Sequence, residues 1–166
     1  MTLSPSQRKL VLTIHVLTSV AWLGALLAYL VLDISAVANI DPQTVRAAYL
    51  AMNLITRCVI VPLAIASILF GAVNALGTPW GLFRHYWVLL KLLLTLFATT
   101  ILLLETQTID YMAEIASSST VPRNLHGSLP HSIGGIVVLL IIMVLAIYKP
   151  PGVTPYGWRK QRERDR

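Results

Sequence analysis

Four long apolar runs separated by short polar breaks organise the chain. Residues of about 10–32, 58–76, 85–104 and 131–148 each approach the roughly 20 apolar positions that a helix needs to cross a bilayer. The runs end at Asp33, at Gly77-Thr78-Pro79, at Glu105 and at Pro150-Pro151, residues that stop a helix or carry it out of hydrocarbon. Pro62 lies inside the second run and predicts a kink there. The stretch "DPQTVRAAYLAMNLIT" before that run has mixed polarity and a proline near a helix start, which predicts a helical extension outside the hydrocarbon. "SSSTVPRNLHGSLP", between the third and fourth runs, reads as a polar loop. The expected fold class is all-α: one four-transmembrane-helix bundle over residues 1–150, followed by a basic tail over 151–166.

Within the runs the polar and small residues fall on stripes. His15, Ser19, Trp22, Leu26, Tyr29 and Asp33 follow steps of three and four, as do Lys91, Thr95, Ala98, Leu102 and Glu105. Ala64, Ser67, Gly71 and Asn74 form a small-residue stripe on the second run, and Gly134 and Gly135 sit on the fourth; such faces let another backbone approach closely. Stripes that exclude lipid should face one another, which predicts a bundle with a semi-polar interior.

Composition agrees. The chain is 56% hydrophobic and 12% charged, with mean hydropathy +0.72, against about 25% charged in a soluble domain. The single cysteine, Cys58, excludes an intrachain disulfide and a cysteine-based zinc site. No Gly-rich phosphate loop, CxxC, HExxH or GxSxG occurs. The net charge of +6 owes much to the end of the chain, "WRKQRERDR", which suits anionic lipid beside a membrane rather than nucleic acid. Arg8 and Lys9 precede the first run, and Lys149, Arg159, Lys160, Arg162, Arg164 and Arg166 follow the last. Both termini are therefore expected in the cytoplasm, with Asp33, Asp41, Glu105, Asp110 and Glu114 toward the other side. Trp80, Tyr86 and Trp87 suit an aromatic belt on the cytoplasmic side. The first run is longer than a signal-peptide h-region and is expected to be retained as a helix.

This topology creates two polar levels. His15 and Lys91 each lie roughly 8 to 10 Å inside the cytoplasmic boundary, and a charge at the middle of a span costs roughly 3 kcal/mol on insertion scales. Haem b would account for both residues. His15 would be the axial ligand to the haem iron, either alone with Lys91 on a propionate or opposite a neutralised Lys91, with Trp22 as a packing wall. The plainer alternatives are a His15 hydrogen-bonded to Ser19 and a Lys91 that snorkels to phosphates. The outer level gathers Asp33, Arg57, Glu105 and His131. It reads either as a charge-satisfied rim or, with His126, as a metal or proton-entry site.

"HVLTSVAWLGALLAYLVLD" together with "LGTPWGLFRHYWVLLKLLLTLFATTILLL" resembles a family of small bacterial integral membrane proteins of unknown function, the predicted integral membrane group 2269. His15, Trp22 and Gly24 in the first run, with Trp87 and Lys91 in the third, also look like the HemJ-type protoporphyrinogen oxidases and the copper-resistance D-like membrane proteins. The chain departs from the HemJ pattern at Asp33, and at Thr99, Thr100 and Leu104. The resemblance implies a multi-pass protein of the bacterial inner (plasma) membrane. It also implies bound haem b or a related porphyrin at His15, Lys91 and Trp22, serving redox chemistry or porphyrinogen oxidation. A non-enzymatic packing or assembly module, and a proton or ion path through Asp33, Tyr29, Trp22, Ser19, His15 and Lys91, are the alternatives. A second copy of the chain or a redox protein is the partner these readings call for.

Overall fold

The first two helices start where the sequence supplies a side-chain acceptor for unpaired N–H groups. The computed structural model describes residues 3–38, 40–78, 80–117 and 128–164; Pro79, His126 and most of the polar loop before the last span lie outside them. Helix α1 (Pro5–Ala38) opens on a reciprocal cap, in which Gln7 N–H donates to Ser4 Oγ at 3.3 Å and Ser4 N–H donates to Gln7 Oε1 at 3.0 Å. Helix α2 (Pro42–Ile55) is capped by Asp41, whose carboxylate accepts from Thr44 Oγ1 at 2.7 Å, Thr44 N–H at 3.0 Å and Gln43 N–H at 3.3 Å. Those donors, the Thr44 hydroxyl first, hold the Asp41 carboxyl below the usual carboxylate range.

Helix α2 does not end before the second span. It runs through one π-helical turn, Thr56–Ile60, into α3 (Val61–Leu76), so that Pro42–Leu76 forms one continuous helix of 35 residues. The π turn answers Pro62. Proline donates no N–H, and its ring collides with the carbonyl four residues back in a regular α-helix. Widening the preceding turn, where Val61 N–H donates to Thr56 O, relieves that collision. Helix α4 (Tyr86–Ser117) has 32 residues and α5 (Leu129–Tyr148) has 20. Lys149, in the left-handed region at φ 44°, ends α5 ahead of Pro150 and Pro151.

The four long apolar helices make a multi-pass membrane bundle. Helix α1 packs on α3, α2 and α5, and α4 packs on α2, α3 and α5. The cyclic order is therefore α1, α2–α3, α4, α5, with α1 and α4 across the diagonal. The outward faces carry Leu17, Val31, Leu69, Leu93, Leu104 and Ile147, all exposed, as lipid contact requires. One end of the bundle, the termini end, holds Pro5, Leu76, Tyr86 and Tyr148; the loop end holds Ala38, Pro42, Ser117 and Leu129. At about 1.5 Å per residue, α5 matches the roughly 30 Å of hydrocarbon, whereas the other three helices reach about 50 Å. The excess of α1, α2 and α4 collects at the loop end, where Ala36, Ala48, Tyr49, Met52, Ile109 and Ala116 belong to the buried core.

The basic tail is partly docked. Tyr86 N–H donates to Gly152 O at 3.3 Å, Thr154 N–H to Arg84 O at 2.9 Å and Thr154 Oγ1 to Phe83 O at 2.6 Å. These bonds fix the start of α6 (Pro155–Arg164) against the α3–α4 connection.

Two predictions follow from this packing. A Cβ added at Gly71 would stand 2.8 Å from His15 Cε1, so Gly71→Ala should overpack the α1–α3 contact by about 1–3 kcal/mol. Thermal unfolding in detergent should show the loss, with His15→Ala restoring the midpoint in the double variant. Without that rescue, the contact does not limit stability. The second concerns pH. With its folded-state pKa depressed, the Asp41 cap is complete above the unfolded value of about 3.9 and is lost as pH falls through the lower folded value. Hydrogen exchange at Gln43 and Thr44 should therefore stay slow at mildly acidic pH and accelerate below the usual carboxylate range, whereas Asp41→Ala should exchange fast throughout.

Candidate functional site

The loop-end level is built on one carboxylate. Asp33, near the end of α1, is 0% exposed. Its Oδ1 accepts from Ser128 N–H at 3.1 Å, and its Oδ2 accepts from Ser128 Oγ at 3.0 Å and Ser132 Oγ at 3.1 Å. Ser128 is the N-cap of α5 and makes no side-chain cap of its own. Asp33 thus caps α5 from another helix, placing negative charge at the positive end of the α5 dipole. Because Ser128 Oγ gives its proton to Asp33, Tyr29 must be the donor in the 2.7 Å bond between Tyr29 Oη and Ser128 Oγ. The order is Tyr29 to Ser128 to Asp33.

Beside this network lies a cavity of about 280 Å³ between α1, the π turn, α4 and α5. Trp22 closes it toward the termini end; Leu26, Ile60, Ala98, Leu102 and Leu139 supply apolar wall. Exposed Phe97 of α4 and exposed Gly134 and His131 of α5 also line it. A Cβ at Gly134 would meet nothing within 4 Å, so the missing side chain leaves space, whereas a Cβ at Gly135 would stand 3.0 Å from Leu26 Cδ2. Polar groups are few. Glu105 Oε1 lies 3.2 Å from His131 Nε2, with the Glu105 side chain 19% exposed and the His131 side chain 52%. Thr56, 1% exposed, lines the cavity, and its Oγ1 has no hydrogen-bond partner. That is unusual within this fold. Thr95, Thr99 and Thr100 each donate to the carbonyl four residues back, whereas Thr56 opens the π turn.

The His15–Lys91 level lies nearer the termini. His15 is seven residues before Trp22, about 10 Å along α1. Its ring packs on Gly71, its carbonyl accepts from Ser19 Oγ at 2.7 Å, and Ser19 Oγ bonds Ser67 Oγ at 2.9 Å. His15 Nδ1 is buried and has no partner. Lys91 stands across the diagonal with its ammonium 5.8 Å from the Trp87 ring centroid, one turn toward the termini end. It makes no ion pair among the described residues, and its charge is felt at His15. For haem b the donors fit in kind: an imidazole with a free nitrogen and an ammonium suited to a propionate. The room does not fit, because the cavity is lined by Trp22 and by neither His15 nor Lys91.

Of the outer polar level read from sequence, the structure joins Glu105 to His131 and leaves the other two apart from that pair. Asp33 serves α5, while Arg57 forms a bidentate ion pair with Asp110, donating Nε–H to Oδ1 at 2.9 Å, with Asn53 donating to the same oxygen at 2.7 Å. No group of three or more histidine, cysteine, aspartate or glutamate residues comes together among the described residues. Sequence reasoning missed Thr56, Ser128 and Ser132. Ser128 had a local signal, standing two residues before a proline at a helix start. Thr56 had none, since its unpaired hydroxyl shows only in the packed structure. Comparison with known proteins returns no match to a protein-family model, to a curated protein or to a solved structure.

Asp33→Ala should strand the Ser128 N–H and take one partner from each serine hydroxyl, Ser132 keeping Leu129 O and Ser128 keeping Tyr29 Oη. We expect a stability loss on the order of 3 kcal/mol with faster exchange at the first amides of α5. Asp33→Asn, which keeps an acceptor, should lose less. Equal thermal midpoints for wild type and Asp33→Ala would remove the carboxylate from its capping role.

Proposed function

We propose that this protein is a membrane-embedded binding module that takes an apolar molecule from the bilayer into the cavity between α1, α4 and α5. The observation that carries this reading is the cavity itself: about 280 Å³, walled by aromatic and aliphatic side chains, with a few polar groups gathered at one end. Binding sites for small molecules are commonly concave, largely apolar and furnished with few polar groups, and the spaces between helices of a bundle are among their usual places. The rim between α4 and α5 lies among lipid-facing residues, so the ligand has a route that avoids water. A bacterial inner membrane with both termini cytoplasmic suits the lysines and arginines flanking the termini. The basic residues of α6 suit anionic headgroups there.

A second reading, haem b or a related porphyrin held by His15 with Lys91 on a carboxylate, is favoured by one observation, the unpartnered Nδ1 of His15. It requires the diagonal between α1 and α4 to open. A continuous proton path is disfavoured by Trp22, 3% exposed, which stands between the two polar levels.

The test uses Trp22 as reporter. Titration of detergent-purified protein with a brominated alkyl probe should quench tryptophan emission saturably, and Trp22→Phe should remove that component. Gly134→Phe should fill the cavity and weaken binding at least tenfold with the fold intact by thermal melt. Quenching unchanged by Gly134→Phe would remove the cavity as the site. The haem reading has its own readout: a Soret band that shifts on dithionite reduction and disappears in His15→Ala carries it, and a flat spectrum from cells supplied with haem precursor ends it.

A further inference from the structure

We infer that the cavity accepts a neutral, flat ring carrying carbonyl or hydroxyl oxygens, a molecule of the quinone or quinol class, with its apolar tail leaving between α4 and α5. This inference rests on the cavity being a binding site and adds what the ligand's polar end must be.

Charge excludes the ionic alternatives first. The charged groups lining the cavity are Glu105 and His131; Asp33 stands beside it, and Arg57, next to Thr56 in the chain, is paired with Asp110. Asp33 already accepts from three donors and Glu105 is paired with His131. An anionic head, such as a fatty acid, would meet two carboxylates with one imidazole to offset them. A cationic head would find no free carboxylate and would have to break the His131 pair. Desolvating either ion without a partner is heavily unfavourable. A neutral head avoids both penalties.

Hydrogen bonding then narrows the neutral class. Thr56 Oγ1 is buried with no partner, and leaving a buried hydroxyl unpaired is costly. A ligand oxygen seated beside Thr56 supplies what is missing, as an acceptor if it is a carbonyl and as either partner if it is a hydroxyl. His131, paired with Glu105, lines the same cavity and offers its imidazole to a second oxygen. A purely hydrocarbon occupant would leave Thr56 as it is. Shape completes the argument: Trp22, Tyr29 and Phe97 contribute aromatic wall, which favours a flat ring over an acyl chain. The volume suits a head group of that size and leaves the tail to the bilayer.

The experiment compares three probes on the full chain in detergent: a short-prenyl benzoquinone, the corresponding prenylbenzene without ring oxygens, and a fatty acid of similar length. Binding is read by tryptophan quenching and by displacement of the brominated probe. The wild type should bind the quinone at least tenfold tighter than the prenylbenzene and the fatty acid. Thr56→Val should reduce quinone affinity about tenfold and leave the prenylbenzene unchanged, while Thr56→Ser, which keeps the hydroxyl, should restore the quinone. His131→Phe should act in the same direction, so the test survives if Thr56→Val fails to fold. Quinone affinity unchanged in both Thr56→Val and His131→Phe, or a fatty acid bound tightest, overturns the head-group inference while leaving the cavity reading standing. No binding of any probe, with Gly134→Phe indistinguishable from wild type, overturns both.

Discussion

The bundle depends on the capping of α5 by Asp33. In a hydrocarbon surrounding, the first N–H groups of a helix have no water to turn to, and each unpaired one carries a large penalty. Helix α5 is only 20 residues long and has no side-chain cap from its own Ser128. Asp33 supplies the missing acceptor from α1, and the α5 dipole with the hydroxyls of Ser128 and Ser132 supplies what a buried carboxylate requires. The bargain is mutual, since neither group is tolerable there alone. It also fixes the height of α5 against α1. That height brings Gly135 onto Leu26 and leaves Gly134 beside open space.

A second constraint acts on the facing wall. Pro62 cannot sit in an unbroken α-helix without losing a bond and meeting a carbonyl, and the chain resolves this by widening one turn. The consequence is local and chemical. Thr56, at the head of that turn, ends up buried without the intrahelical bond that Thr95, Thr99 and Thr100 all make. An unpaired hydroxyl thus stands at the head of the proline-accommodating turn, beside an apolar cavity. Unmet hydrogen bonding of this kind lies where a ligand could relieve it.

The two polar levels proved to differ in kind. At the termini end, the Lys91 ammonium lies 5.8 Å from the Trp87 ring centroid and no carboxylate pairs with it among the described residues. His15 fills the niche over Gly71 and joins the Ser19–Ser67 contact that seats α1 on α3. Polar stripes there serve packing as much as chemistry. At the loop end the polar groups sit beside space, and space is what binding needs.

The sequence by itself determined the class of protein, the four spans and the faces that turn inward. Hydrophobic length and helical period are local properties, and a bilayer leaves a chain of this composition few other structures. Asp33, Glu105 and His131 could be singled out because charge at the edge of an apolar run is visible in one dimension. The partners of those charges could not. Asp33 reaches Ser128, 95 residues away, Arg57 chooses Asp110 over Glu105, and the cavity is assembled from four separate segments. Such pairings depend on the relative height and rotation of the helices, which only packing decides. The π turn belongs to the same category: Pro62 announced a disturbance, but whether the helix would bend or widen depended on what lay against it.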